Sequence, residues 1–143
     1  QMIEVAREKD SQVLGLERIE GEDISKFGVV DPIETGKICT LKGIVEKPSF
    51  SEAPSELAVV GRYIFSGSIF NHINNDVPGK NGEIQITDAI LSDIANFVGY
   101  EFDGKRFDCG SKIGYLKANV EFGLADGELG PALAEYLKGK KDL

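Results

Sequence analysis

Apolar runs of strand length alternate with segments of helical periodicity along the chain, and this alternation constrains its fold more than any other feature. Four runs read as strands: "SQVLGLERI" (11–19), "KFGVVDP" (26–32), "GKICTLKGIVEK" (36–47) and "LAVVGRYIF" (57–65). Helices are predicted at the start of the chain, over 86–97, over about 111–124 and over about 129–138. Strands mixed with helices of these lengths predict an α/β fold, with a mixed sheet and flanking helices.

Local signals predict how these elements begin, turn and face. Thr87 is placed to cap the helix over 86–97, whose apolar positions Ile86, Ile90, Ile94 and Phe97 share one face. Asp103-Gly104 is a strong hairpin-turn signal. In the following helix we expect four residues to face inward: Ile113, Leu116, Val120 and Leu124. The polar segments 49–56 and 74–83 are predicted loops.

Composition excludes several functional classes. The 143 residues carry a formal charge of −8, which argues against general nucleic-acid binding but not against a small phosphorylated ligand. No apolar run reaches the roughly 20 residues of a membrane span, and no secretory signal is visible. Cys39 and Cys109 match no zinc spacing, which favours reduced thiols in a cytoplasmic protein. The chain opens inside a helix without a methionine, so we expect it to be a piece of a longer protein.

The first candidate site is "VEKP", where an apolar strand ends on Glu46, Lys47 and Pro48. A carboxylate at a strand end can accept hydrogen bonds from sugar hydroxyls, and an ammonium can hold a phosphate. The residue before a proline favours extended backbone, so Lys47 is predicted to stay extended. Neighbouring strand residues then point to opposite faces, unless the strand ends between them. The alternative interpretation is a surface ion pair of little energetic consequence.

Further candidates are an aspartate and two glycines. Asp108 of "FDCG" precedes a predicted helix and is a hard oxygen ligand suited to Mg²⁺; alternatively it is a turn or cap residue. Gly28 and Gly61 lie inside strands, where glycine often marks a bulge or a close backbone approach, although packing explains either equally well. His72, the sole histidine, is interpreted as structural or at the surface.

Five blocks in order carry a family resemblance: "FGVVD", "GIVEKP", "SELAVVGRYIF", "GEIQITDAI" and "FDCGSKIGYLKANVEFGL". Together they resemble the bacterial UTP–glucose-1-phosphate uridylyltransferases, or UDP-glucose pyrophosphorylases, across nearly the whole chain. The resemblance implies a Rossmann-like nucleotide-diphospho-sugar transferase fold. It also implies formation of UDP-glucose and pyrophosphate from UTP and glucose 1-phosphate with Mg²⁺. Catalysis of this kind is chiefly positioning and charge neutralisation.

The resemblance also assigns roles to individual residues. Glu46 would bind glucose hydroxyls, and Lys47 would hold the sugar phosphate and act catalytically by stabilising charge in the transition state. The backbone at Gly28, and less directly at Gly61, would approach the sugar. Asp108 would be one of two aspartates that bind Mg²⁺.

What the resemblance leaves out leads to further expectations. The family's glycine-rich nucleotide loop and other metal aspartate belong to an upstream half, so residues 1–143 are expected to form the C-terminal, sugar-phosphate-binding half of one domain. Such a chain should be inactive alone, expose a sheet edge or apolar face, and self-associate as a homo-oligomer. Alternatives are a thymidylyl- or adenylyl-transferring relative, or a non-catalytic sugar-phosphate-binding module.

Overall fold

The computed structural model describes residues 1–73 and 82–140. The chain divides into two compact units, Gln1–Asp103 and Gly104–Leu143. Most of the loop predicted over 74–83 lies outside the described residues. None of the helices in the described part of the chain has the length and apolar character needed to cross a bilayer.

The described residues of the first unit contain five strands and two α-helices, of which α1 and the first four strands lie close to the predicted positions. In chain order they are α1 (Met2–Lys9), β1 (Gln12–Arg18), β2 (Gly28–Pro32), β3 (Ile38–Glu46), β4 (Leu57–Ile64), α2 (Ile86–Ser92) and β5 (Phe97–Glu101). Short 3₁₀ helices lie between them at Gly21–Lys26, Phe50–Glu52, Gly67–His72 and Ile94–Asn96. The second unit contains α3 (Lys112–Ala125) and α4 (Gly130–Lys138).

The strands pair in the order β1-β4-β2-β3-β5, and β5 pairs with β1 to close the sheet into a barrel. The β1–β5 pair is parallel and the other pairs are antiparallel, which confirms the predicted mixed sheet. Strand β3 pairs with β5 through Ile38–Thr40 and with β2 through its later residues, so β3 links β2 to β5 in the barrel. Because each of these five strands has two neighbours, the expected exposed sheet edge is not found among residues 1–73 and 82–103.

The largest core cluster lies between the strands and α2. Its buried members are Leu14, Leu16, Val30, Cys39, Leu41, Ile44, Leu57, Val59, Ile69, Ala89, Ile90 and Phe97. Both cysteines are free thiols, as predicted, and Cys109 is exposed. Burial in the core raises the pKa of the Cys39 thiol, and the nearby negative charge of Glu34 raises it further.

The helix predicted over 86–97 ends early, at Ser92. The buried Asp93 carboxylate accepts a 2.8 Å hydrogen bond from Gln12 Nε2 and a 2.6 Å bond from Asn96 Nδ2. These bonds hold Asp93 at the helix end, where its backbone has left the helical conformation, with φ −121° and ψ 18°. Phe97 therefore begins β5 instead of extending the helical face, and Ile94 lies in the short 3₁₀ turn.

The hairpin predicted at Asp103-Gly104 is also wrong. Strand β5 ends at Glu101, and residues 102–111 contain no strand. The reason is that β5 already pairs with β1 on one side and β3 on the other. A returning strand would have no free hydrogen-bonding edge to pair with.

The predicted inward face of α3 is exposed. The fractional exposures of Ile113, Leu116, Val120 and Leu124 are 61%, 58%, 38% and 41%. Within its unit α3 packs on α4 through another side, where Gly123 lies against Leu133. Helix α3 thus exposes an apolar face, and the prediction that these four residues face inward is wrong.

This apolar face should make the protein self-associate, because contiguous exposed apolar surface is normally covered by a partner. We expect size-exclusion chromatography with light scattering to give a mass above that of one chain at micromolar concentration. Leu116→Glu should lower that mass towards the monomer. Asn119→Glu, which adds the same charge at another exposed position of α3, is the matched control. A monodisperse monomer for the unsubstituted protein would contradict the expectation.

Candidate functional site

The end of β3 brings two strands and a charged pair together. Glu46 is the last residue of β3 and pairs with Gly28, the first residue of β2. The next residue, Lys47, has a φ of 45° and is therefore left-handed, so the predicted extended conformation is wrong. Its backbone N–H donates a 3.0 Å hydrogen bond to the Phe27 carbonyl, and the following Pro48 is buried. These tertiary contacts override the local preference for extended backbone before proline.

The left-handed residue changes where the two side chains lie. Because β3 ends at Glu46, the alternation that would send Lys47 to the opposite face no longer applies. Lys47 Nζ lies 3.5 Å from Glu46 Oε1. The Glu46 side chain is only 17% exposed whereas that of Lys47 is 46% exposed, so this is not a pair between two fully solvated residues. A left-handed non-glycine residue costs about 1–3 kcal/mol, and such strain is common at functional sites.

Gly28 is buried next to the Glu46 carboxylate. A Cβ at this position would lie 3.1 Å from Thr87 Cγ2, 3.2 Å from Glu46 Oε2 and 3.6 Å from Ile44 Cδ1. A side chain here would push on the carboxylate and on Thr87. Close packing around the glycine therefore explains its presence, and leaves its proposed approach to a sugar as a prediction.

Gly61 has a different reason to be glycine. Its φ is 69°, and a Cβ there would meet no described atom within 4 Å beyond its chain neighbours. It lies in a bulge of β4, since Leu14 of β1 pairs with Tyr63 while Leu16 pairs with Val59. Of the explanations left open for this glycine, a bulge, a close backbone approach or packing, the structure shows the bulge, and its backbone conformation favours glycine.

Tyr63 belongs to the same neighbourhood and was missed at the sequence level. Burial raises the pKa of its hydroxyl, and the negative charge of Glu46 raises it further. Its ring stacks on Phe65 with centroids 4.9 Å apart. The spacing of Gly61, Tyr63 and Phe65 at every second residue was the available signal, because alternate strand residues share a face.

The Tyr63–Glu46 proximity can be tested by a pH titration. Spectrophotometric titration should show Tyr63 ionising above the ordinary tyrosine pKa of about 10. Glu46→Gln should lower that pKa only partly, because burial is the larger cause. Since the folded protein keeps this proton longer than the unfolded chain, stability should fall as pH rises above about 10. Tyr63→Phe assigns the signal, and a Tyr63 pKa unchanged by Glu46→Gln would contradict the proximity.

Thr87 was predicted to cap α2, and this is wrong. The N-cap residue is Gln85, and Thr87 is the second residue of the helix. The Thr87 side chain is 6% exposed, and its Oγ1 has no hydrogen-bond partner in the structure as described. The apolar stripe of α2 turns this residue towards the strands, where its methyl group lies against Gly28.

Asp108 lies in the second unit, in the turn before α3. Its Oδ1 accepts a 3.0 Å hydrogen bond from the Gly110 N–H, and Ser111 caps the helix by accepting from the Gly114 N–H at 3.1 Å. The exposed carboxylate fits a single oxygen ligand of Mg²⁺, which commonly takes one or two carboxylates with phosphates and waters. Over 1–73 and 82–140, no three His, Cys, Asp or Glu residues are grouped to hold a metal.

His72 takes a structural position. Its Nδ1 lies 2.9 Å from Ser92 Oγ, and its Nε2 lies 3.8 Å from the buried Asp93 Oδ1. These contacts tie the 3₁₀ helix Gly67–His72 to the end of α2. Of the two interpretations of this histidine, structural or at the surface, these contacts favour the structural one.

The family follows from comparison with known proteins. Residues 1–123 match the family model described as nucleotidyl transferase. The chain belongs to the nucleotidyl transferase family. It is 38% identical over 132 residues to the UTP–glucose-1-phosphate uridylyltransferase of Bacillus subtilis (strain 168), covering 90% of this chain and 45% of the relative. A putative enzyme of the same name from Methanocaldococcus jannaschii is 45% identical over 129 residues, covering 88% of this chain and 44% of the relative.

A solved structure agrees with the fold. The structure of a UDP-glucose pyrophosphorylase complexed with UDP-glucose aligns with a TM-score of 0.79 and 38% identity, covering 85% of this chain and 48% of that protein. The nucleotide-diphospho-sugar transferase fold predicted from the sequence is thereby confirmed. The chain spans about half the length of the curated relatives that it matches.

Proposed function

We propose that this chain supplies the sugar-phosphate side of a nucleotidyl transferase that forms UDP-glucose and pyrophosphate from UTP and glucose 1-phosphate. The observation that carries the proposal is the end of β3, where a largely buried carboxylate and a more exposed ammonium lie 3.5 Å apart. Glucose 1-phosphate offers hydroxyl donors next to a phosphate dianion. The Glu46–Lys47 pair offers a hydrogen-bond acceptor for those hydroxyls next to a cation for that phosphate.

Each charged side chain has a distinct proposed role. Glu46 accepts hydrogen bonds from sugar hydroxyls, and charge-assisted bonds of this kind are the stronger class. Lys47 holds the phosphate and neutralises the charge that develops as that phosphate attacks UTP. The strained backbone at Lys47 is then part of the preorganisation, since it brings both groups to one ligand before binding. Gly28 and Gly61 border the sugar through their backbones.

Mg²⁺ is the proposed cofactor, and Asp108 is the residue of this chain that would hold it. The ion supplies positive charge to phosphate oxygens when bound. Asp108 contributes one hard oxygen, and the hydrogen bond from the Gly110 N–H fixes the direction of its carboxylate. A second carboxylate ligand is expected from outside this chain.

The extent of the enzyme remains a prediction. The share of each relative that is covered does not by itself support assignment to the C-terminal half, and that assignment rests on the sequence blocks alone. Inactivity of the isolated chain, a homo-oligomeric state and a cytoplasmic location are proposed on the same footing. Uridylyl transfer is preferred to thymidylyl or adenylyl transfer because the relatives described above are named for UTP.

Calorimetric titration tests the proposal directly. With Mg²⁺ present, the protein should bind glucose 1-phosphate and UDP-glucose. It should bind UTP much more weakly, because the proposed site contacts the sugar phosphate and not the nucleotide. No pyrophosphate should be released from UTP and glucose 1-phosphate. Heat with UTP and none with glucose 1-phosphate would reject the assignment. Sugar-phosphate binding that persists in a full-length protein without turnover would favour the non-catalytic module.

A further inference from the structure

We propose that Thr87 is a positioning residue of the sugar site, and that its hydroxyl donates a hydrogen bond to the Glu46 carboxylate when a sugar phosphate is bound. The inference rests on the proposed function, because it gives Glu46 the task of accepting sugar hydroxyls. It begins from a buried hydroxyl that has no partner among the described residues. An unsatisfied buried polar group destabilises the folded state, so its presence calls for a reason.

The usual partners of a threonine hydroxyl are not accessible here. The capping position, where the hydroxyl would accept from a helix N–H, is taken by Gln85. Inside a helix the hydroxyl can instead donate to a carbonyl three or four residues earlier. Thr87 is the second helical residue, so no preceding helical turn offers that carbonyl.

Glu46 is a polar side chain that, like Thr87, lies against Gly28. Thr87 Cγ2 and Glu46 Oε2 approach the same point on Gly28, at 3.1 and 3.2 Å from where its Cβ would be. Threonine populates two χ1 rotamers in helices. Rotation of Thr87 by about 120° around its Cα–Cβ bond places the hydroxyl where the methyl now lies and moves the methyl to the position of the Cβ hydrogen. In the alternative rotamer the hydroxyl takes the place of the methyl, which lies against Gly28, the residue that Glu46 Oε2 also approaches.

The two carboxylate oxygens of Glu46 then have different neighbours. Lys47 Nζ lies nearest Oε1, whereas Oε2 is the oxygen that lies against Gly28. A bound phosphate attracts the Lys47 ammonium, which weakens the ion pair between Lys47 and Glu46 Oε1. A hydrogen bond from Thr87 to Oε2 would keep the carboxylate aimed at the sugar hydroxyls during that change.

Three proteins test the inference by calorimetric titration with glucose 1-phosphate: the unsubstituted protein, Thr87→Val and Thr87→Ser. Valine keeps the shape and removes the hydroxyl, so we expect binding about fivefold weaker, the size of one ordinary hydrogen bond. Serine keeps the hydroxyl and should bind within about twofold of the unsubstituted protein. Thermal unfolding without ligand should show the midpoint of Thr87→Val unchanged or higher, because an unsatisfied buried hydroxyl has been removed.

The outcomes separate the inference from the proposed function. If the unsubstituted protein binds and Thr87→Val binds equally well, the inference is overturned while the proposed function stands. A lower unfolding midpoint for Thr87→Val would assign the hydroxyl a structural role and overturn the inference as well. If the unsubstituted, folded protein does not bind glucose 1-phosphate, both fail together. Weaker binding by Thr87→Val with rescue by serine supports the assignment.

Discussion

Glu46→Gln is expected to weaken binding of glucose 1-phosphate by roughly 10- to 100-fold, because hydrogen bonds to a charged group contribute about 1.5–3 kcal/mol. Glutamine has the same shape as glutamate, so the packing against Gly28 is kept. The change replaces one anionic acceptor oxygen by a donor, which cannot accept from a sugar hydroxyl. Calorimetric titration in the presence of Mg²⁺ measures the loss.

Glu20→Gln is the matched control for this change. Glu20 is exposed and lies in the same unit but outside β3, immediately before the 3₁₀ helix Gly21–Lys26, so the substitution makes the same charge change in another segment. Its affinity should stay within about twofold of the unsubstituted protein, since exposed charges contribute little. Equal affinities of Glu46→Gln and Glu20→Gln for glucose 1-phosphate would contradict the proposal that Glu46 binds the sugar.

Gly99→Ala is expected to lower the free energy of unfolding by about 1–3 kcal/mol, the usual cost of overpacking a core. Gly99 is buried in β5, which lies between β1 and β3. An added Cβ would lie 2.5 Å from Leu16 Cδ1 and 2.9 Å from Cys39 Sγ. Both atoms belong to the packed core and must move to admit the methyl group. Urea denaturation, followed by circular dichroism, measures the change.

Gly43→Ala provides the comparison within the same barrel. Gly43 lies in β3, and the nearest atom to an added Cβ is Asp31 Cβ at 3.7 Å, an ordinary contact distance. Alanine there should leave stability unchanged or slightly increased, because it restricts the unfolded chain. If Gly99→Ala were no more destabilising than Gly43→Ala, the inference that the core is tightly packed around Gly99 would be wrong.

Most of the elements and the location of the charged pair can be predicted from the amino-acid sequence alone. Alternating and helical periodicity placed β1–β4 and α1, α3 and α4 close to where they lie, because burial of one face imposes those periods. The block "GIVEKP" likewise placed Glu46 and Lys47 at the end of a strand. These are local properties, readable from a few consecutive residues.

The arrangement of the candidate site depends on contacts between residues that are distant in the sequence. Lys47 is left-handed because its N–H bonds Phe27, against the preference set by the following proline. Thr87 became a buried neighbour of Gly28 instead of a cap, and β5 had no free edge for a hairpin, because each depends on residues far away in the chain. Local propensities contribute at most a few kcal/mol and yield to long-range pairing and burial. The neighbours of Glu46 therefore cannot be predicted from the residues next to it in the sequence.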